Sequence, residues 1–530
     1  MFSRHPMVTS ALAGLGLVLT AGAAQAALVI RNTPTSNVSC SAGMCTATAG
    51  TAVMNVSDLT SMLASSDVTL VAGSMAKNVK VLSAFSWTSA HRLTLDAYRS
   101  IVVANVVTVA GPGALTLTTN DGGSGGTFST QFPARVDFWD LSSSLTINGN
   151  NYTLIGDIAG LAAVTKSGAH IALAKNYDAS ADGTYTSSPK VGWDGVFEGL
   201  GHVISHFSIH ASTGKMNIGL FSWIGNGGQV ENVGLTGVFI RGGFRSSVGA
   251  LAGWNDGSIT NTFAKGHIQA GKESYVGGLV GLNRINVNQG SYDDIGTIES
   301  SYTAGKVTGG VSALVGGLVG FNNYGSKIRN SHSTAEVVGT TNSAAGGLVG
   351  WLQGSLTDSW ASGSVTVGDN NGGLFTPGSA GGLVGSYFND PHGGADLVDC
   401  YATGNVTGGQ SVGVGGLVGY MYVSSGSTPI PTTSSYATGR PAGGTGSDIG
   451  GFIGEIINSG SFSDTYWDMD TSSISDPSNG AGNIANEPGI TGLTTAQFQS
   501  GLPAGFDPSI WTESPSINGG YPYLIANPPP

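Results

Sequence analysis

Apolar residues in this chain fall in short runs, many of them alternating with polar residues and cut by glycine, asparagine and serine. Leu93 and Leu95, Ile101 to Val103, Val106 to Val109, and Leu115 and Leu117 read as strands bounded by turn residues. Helical spacing occurs only briefly. One segment runs from Asp58 to about Ser65 behind a cap at Ser57, a second from Ile158 to Val164 behind Asp157, and a single turn is expected at Thr495 to Phe498.

The dominant pattern is a repeat. Gly-Gly-Leu-Val-Gly, or a near relative, opens at Gly249, Gly277, Gly316, Gly346, Gly381, Gly415 and Gly450, at intervals of 28, 39, 30, 35, 34 and 35 residues. A degenerate copy starts near Gly219. A second half-unit follows each, clearest in Ser301 to Val307 and Cys400 to Val406. Aligned copies give a ring column (Phe263, Tyr302, His332, Trp360, Tyr401, Tyr436, Tyr466) and a small-residue column that holds Cys400 among serines and threonines. An apolar column runs from Ile268 to Val406 and is broken by Pro441.

Short strands bounded by glycines cannot bury their apolar side chains alone and must stack on like neighbours. Adjacent Leu and Val face opposite sides of a strand, so one points inward and the other is covered or sits at a corner. The flanking glycines supply either a left-handed backbone or a tight corner. Two or three short strands per copy at unequal spacing fit coils with variable loops better than four-stranded propeller blades. The expected fold is therefore all-β, a right-handed parallel β-helix with a few short helices and a C-terminal cap. The expected divisions are 1–26 (leader), 27–150 (irregular coils), 151–215 (connecting coil), 216–470 (repeat array) and 471–530 (cap over the last coil).

The leader reads as a secretory signal. Arg4 and His5 precede an apolar run from Ala11 to Ala21, and Ala24-Gln25-Ala26 places cleavage between Ala26 and Ala27. The mature chain is expected to carry no membrane span. Charged residues make up 10% of the sequence, against about 25% in ordinary domains, while 40% hydrophobic content argues for a buried core. A net charge of −12 excludes nucleic acid and anionic membranes as natural partners and leaves host or matrix glycan or protein. Cys40 and Cys45 lie close together in an exported chain, which predicts a local disulfide.

The Gly-Gly-Leu-Val-Gly units with their Ser-Tyr-Ala-Thr-Gly-x-Val partners resemble the GLUG motif of bacterial exported proteins, among them filamentous-haemagglutinin-like exoproteins. Tyr466-Trp467-Asp468, Asn518 to Leu524 and Arg92 to Tyr98 are similar to segments of such exoproteins. The resemblance implies a solenoid at the cell surface or outside the cell, exported through an outer-membrane partner. The Asn-Pro-Asn-Gly-type motif of that route is missing from the sequence.

No complete catalytic or metal-binding constellation emerges, so no catalytic residue, metal ligand or cofactor is assigned. Cys400 and His332 fall in structural columns. His202, His206 and His210 alternate along a strand pattern without a His-Glu-x-x-His motif. Asp293-Asp294 and Asp468-x-Asp470 read as turn formers, with calcium a better fit than catalysis. Binding is expected on the loops Asn283 to Thr297 and Ser386 to Asp396, through Asn283, Asp293, Asp294, Asp390 and His392. The leading expectation is an adhesin-like or structural surface protein. Its rivals are a β-helical polysaccharide hydrolase or lyase and a GLUG-containing peptidase.

Overall fold

A computed structural model describes residues 26–284, 295–372, 378–389, 396–424, 429, 431–458 and 460–530. One coil of the repeat array shows how the sequence becomes a solenoid. Its strands are β1 (Tyr275–Gly277), β2 (Val280–Asn283), β3 (Thr297–Glu299) and β4 (Tyr302–Gly309). Each pairs in parallel with its counterpart one coil on: Val276 with Val315, Val280 with Val319, Ile298 with Ile328, Tyr302 with His332. Pairing between copies, not within one, makes the array a parallel β-helix. The coil has four strands rather than two or three, because three-residue strands carry too little alternation to be read individually.

Val276, Leu279, Val280, Ile298 and Val307 all enter one core that runs from Ile155 to Ile490. Both members of the Leu-Val pair are buried, since Leu279 lies in the bend between β1 and β2. Of the two roles open to the glycines, close approach is the one used. Neither Gly277 nor Gly281 is left-handed. A Cβ on Gly277 would stand 2.0 Å from the Val280 carbonyl oxygen, and one on Gly281 would stand 2.4 Å from the Val248 nitrogen. The left-handed turns fall to Asn232, Asn261, Ser300, Asn330, Asp358, Asp399, Ser434 and Asp464, with φ between 47° and 56°. Six of the eight are Asn or Asp, which tolerate that conformation better than most.

The ring column forms in the register that the repeat predicts. From Phe263 through Tyr302, His332, Trp360 and Tyr401 to Tyr436, successive centroids are 4.3 to 5.7 Å apart with planes within 14°. Offset stacking adds about 0.5–1.5 kcal/mol per pair beyond burial.

A second core, from Leu28 to Leu200, fills an N-terminal body of short parallel strands. A hairpin of Val38–Ser41 and Met44–Ala47 holds the Cys40–Cys45 disulfide. The strand His170–Leu173 joins the two bodies, sending Ile171 and Leu173 into one core and Ala172 into the other.

Helix α1 spans Val56–Leu63 and starts earlier than expected, because Asn55 rather than Ser57 caps it by accepting from the Ser57 and Asp58 N–H groups. Helix α2 (Ile158–Ala163) is capped by Asp157. The expected cap at 471–530 divides in two. Residues around Ala481 and Ile490 close the core end. Beyond α3 (Met469–Ser472) and α4 (Thr495–Phe498), the tail turns back along the flank as a strap over the ring column. Phe498, Phe506, Trp511 and Leu524 cover Trp360, Tyr401, Tyr436 and Tyr466. The rings face outward and need an apolar cover that a lid on the last coil cannot provide. No helix of the described residues is long and apolar enough to cross a membrane.

Candidate functional site

Loops of the N-terminal body and the outer face of the sheet that contains β3 line a groove of about 1040 Å³. Its floor is set by strand register. Glu198, Glu231, Thr260 and Glu299 occupy one column on consecutive coils, beside inward-facing Phe197, Val230, Ile259 and Ile298. Its far wall comes from the segments around Asn120, Thr130 and Asn148. Among the described lining residues are the carboxylates Asp194, Glu198, Glu231 and Glu299, several side-chain amides, and no lysine or arginine.

Glu198 is 2% exposed. Its Oε1 accepts from the Leu200 N–H at 2.6 Å and its Oε2 from Asn232 Nδ2 at 3.0 Å. Burial, then the charge of Glu231, pushes its carboxyl well above the usual range. Burial raises Glu231 as well. The pair therefore holds a proton at pH values where exposed glutamates are bare.

Tyr152 stands over the same floor with its ring edge-on to His170, centroids 5.1 Å apart, and its phenol is raised by burial and by both glutamates. Asn232 is fixed from the other side, its Oδ1 accepting from Asn261 Nδ2 at 2.6 Å, while Asn261 also donates to the Thr130 carbonyl at 2.9 Å. Thr130 Oγ1, buried in the wall, has no hydrogen-bond partner. The site thus presents acceptors and amides fixed by hydrogen bonds, a buried carboxyl pair whose pKa values are raised, and an aromatic edge.

The residues singled out from sequence lie elsewhere. Asn283 is not a loop ligand: it is fully buried, donating to Asn322 Oδ1 at 2.7 Å and accepting from Asn255 Nδ2 at 2.8 Å within an asparagine ladder. The end of β2 points inward there, and only mutual amide pairing makes that burial tolerable. Asp293, Asp294, Asp390 and His392 lie outside the described residues. Residues 1–25 of the leader do too; Ala26 is the first described residue and Ala27 opens the first strand.

The three histidines do not converge. His206 sits at a left-handed turn that interrupts the strand, His202 is buried with Nε2 2.8 Å from the Val136 carbonyl, and His210 is exposed. Asp468 caps α3 and accepts from Thr495 Oγ1 and the Tyr521 hydroxyl, which ties down the strap. Glu198 and Glu231 escaped the sequence reading although they share a column. Their half-units precede the first clear Gly-Gly-Leu-Val-Gly, where no motif fixed the alignment.

Comparison with known proteins bears on the coils next to this groove. A family model described as the GLUG motif matches residues 312–338 and 376–407. The chain carries GLUG repeats. The coil-to-coil pairing of Leu314–Gly316 with Ala344–Gly346 and of Ser379–Gly381 with Gly413–Gly415 is thus the structure of GLUG units in this chain. Over 243 residues the chain is 29% identical to Halomucin of Haloquadratum walsbyi, a match covering 44% of this chain and 2% of that much longer protein. An immunoglobulin A1 protease-like protein of Bacteroides ovatus is a structural relative at 16% identity and a TM-score of 0.36, over 71% of this chain and 93% of that one.

Proposed function

We propose that this chain is an exported GLUG-repeat protein that acts outside the cell or at its surface and holds a glycan chain in the groove between its two bodies. The groove carries the reading. It is long, polar and pre-formed, with amides and carboxylates locked by hydrogen bonds and an aromatic edge at one end, which suits a ligand rich in hydroxyl groups. The leader and the stacked repeat support export and an adhesin-like or scaffolding role. The binding surface in this reading is the groove rather than the variable loops.

One observation favours a second reading, a polysaccharide hydrolase. Glu198 and Glu231 stack on neighbouring strands with raised carboxyls. A protonated member of such a pair supplies the proton that a leaving glycosidic oxygen needs, while its unprotonated partner takes a proton from the water that adds to the anomeric carbon.

Incubating the full chain with a panel of polysaccharides separates the readings. Retention without new reducing ends upholds glycan holding. New reducing ends that vanish in Glu198→Gln transfer the assignment to the hydrolase. Neither retention nor release overturns both.

A further inference from the structure

The charge of the groove is one-sided in a way that hydroxyl recognition alone does not require. Asp194, Glu198, Glu231 and Glu299 lie along it, and its described lining holds no lysine or arginine; Lys190 acts on Asp194 from outside the lining, and Arg329, itself paired with Asp358, follows Glu299 one coil on. Asp194 accepts from the Ser167 hydroxyl and the Gly168 N–H, which favour its ionised form, and Glu299 stands on the fourth coil of the column that starts at Glu198. A uronate or sulfated polymer laid here would bring like charges together in a partly enclosed space, where Coulomb interactions are least screened.

The spacing adds a second constraint. Neighbouring coils are roughly 4.8 Å apart, close to the advance of one pyranose residue along an extended chain, so Glu231 and Glu299, two coils apart with Thr260 between them, face every second sugar. Independently of the acids, the buried Thr130 Oγ1 in the wall lacks a partner, which leaves a polar group for a ligand to satisfy.

Resting on the glycan reading above, we propose that the groove selects a cationic amino-sugar chain, such as a β-linked glucosamine polymer, over neutral and acidic glycans. The ammonium groups pair with Glu299 and Asp194, while the hydroxyls meet Asn261 and Thr130. A lysine-rich peptide is the competing cationic ligand. It matches the charge but brings no sugar hydroxyl to the orphaned Thr130 Oγ1 of the wall.

The test is titration calorimetry of the full chain with glucosamine hexamer, its N-acetylated form, a glucuronate hexamer and hexalysine. The proposal expects glucosamine hexamer to bind at least about tenfold tighter than each of the others, with the advantage shrinking in high salt and in Glu299→Gln. Equal binding of the N-acetylated hexamer overturns the charge selection and leaves the glycan reading standing. Preference for hexalysine overturns it in favour of a peptide ligand. Binding of none of the four overturns the proposal, and a polysaccharide panel that also fails overturns the glycan reading with it.

Discussion

Cys400 occupies the place held by Ser301, Ser331, Ser359 and Ser435 in other coils. Each hydroxyl donates to the carbonyl two residues earlier at 2.7 to 2.8 Å. Ser301, Ser331, Ser359 and Ser435 also accept an N–H from the coil before at 3.1 to 3.2 Å. The column closes the turn after each left-handed residue. The Cys400 thiol reproduces the donor side, reaching the Val398 carbonyl at 3.2 Å, and complete burial pushes its pKa up, so it is a poor nucleophile. Cys400→Ser is expected to match or exceed the parent by up to about 1 kcal/mol in urea unfolding, whereas Cys400→Val loses about 1–2 kcal/mol by orphaning two backbone groups.

His332 gives a pH dependence. Burial holds it at about 4, against 6.5 in an unfolded chain, although Asn527 Oδ1 lies 2.9 Å from its Nδ1. Between those values the unfolded chain binds the extra proton. The contribution is whole above pH 6.5, falls as the pH drops toward 4 and then levels off. His332→Phe should remove about 2 kcal/mol of stability difference between pH 7 and pH 4.5. His202, also held at about 4, keeps part of the slope. Glu198 acts oppositely, since its raised carboxyl adds stability at low pH that is lost as pH rises through the folded value.

At the scale of elements, the repeat was readable because each column repeats a packing demand. The ring, apolar and small-residue columns all fall where alignment of Tyr302, Val307 and Ser301 puts them. What escaped was whatever lacks a sequence period. The asparagine ladder covers only Asn255, Asn283 and Asn322, with Ile224 and Leu352 at its ends, so inward amides looked like loop residues. The groove floor was hidden for a related reason: Asn232 meets the Thr130 backbone across 102 residues, a contact that no local pattern announces. The glycine corner makes the sharpest element-scale prediction. A Cβ on Gly381 would sit 1.9 Å from the Val384 carbonyl oxygen, while Gly372, left-handed at φ +78°, has open space around it. Gly381→Ala should cost at least about 3 kcal/mol or prevent folding, and Gly372→Ala about 1 kcal/mol, by thermal unfolding.

Across the whole molecule, the strap decides how much of the ring column meets water. Trp511 lies 5.9 Å from both Tyr401 and Tyr436 and donates to Asp399 at 2.8 Å, while Asn527 spans His332, Trp360, Ser331 and Asp358. A chain ending at Leu493 should bind an apolar dye, associate on a sizing column and unfold at lower temperature, since bare rings form a patch suited to self-association. Unchanged dye binding and elution would show that the strap is not the cover.

The direction of the strap sets the order in which its contacts would yield to a pull. It leaves the coil of Tyr466 and runs back to that of His332, so tension applied at Pro530 first strips the hydrogen bonds of Asn527, then frees Trp511, Phe506 and Phe498 in turn. Thr495 to Pro530 are 36 residues, which reach roughly 120 Å when fully extended, so the strap lengthens before any coil bears load. A force trace should show small early ruptures that re-form on relaxation, ahead of the larger events of the helix itself. Force on the strap would thus be taken up by its own release before it reaches the groove.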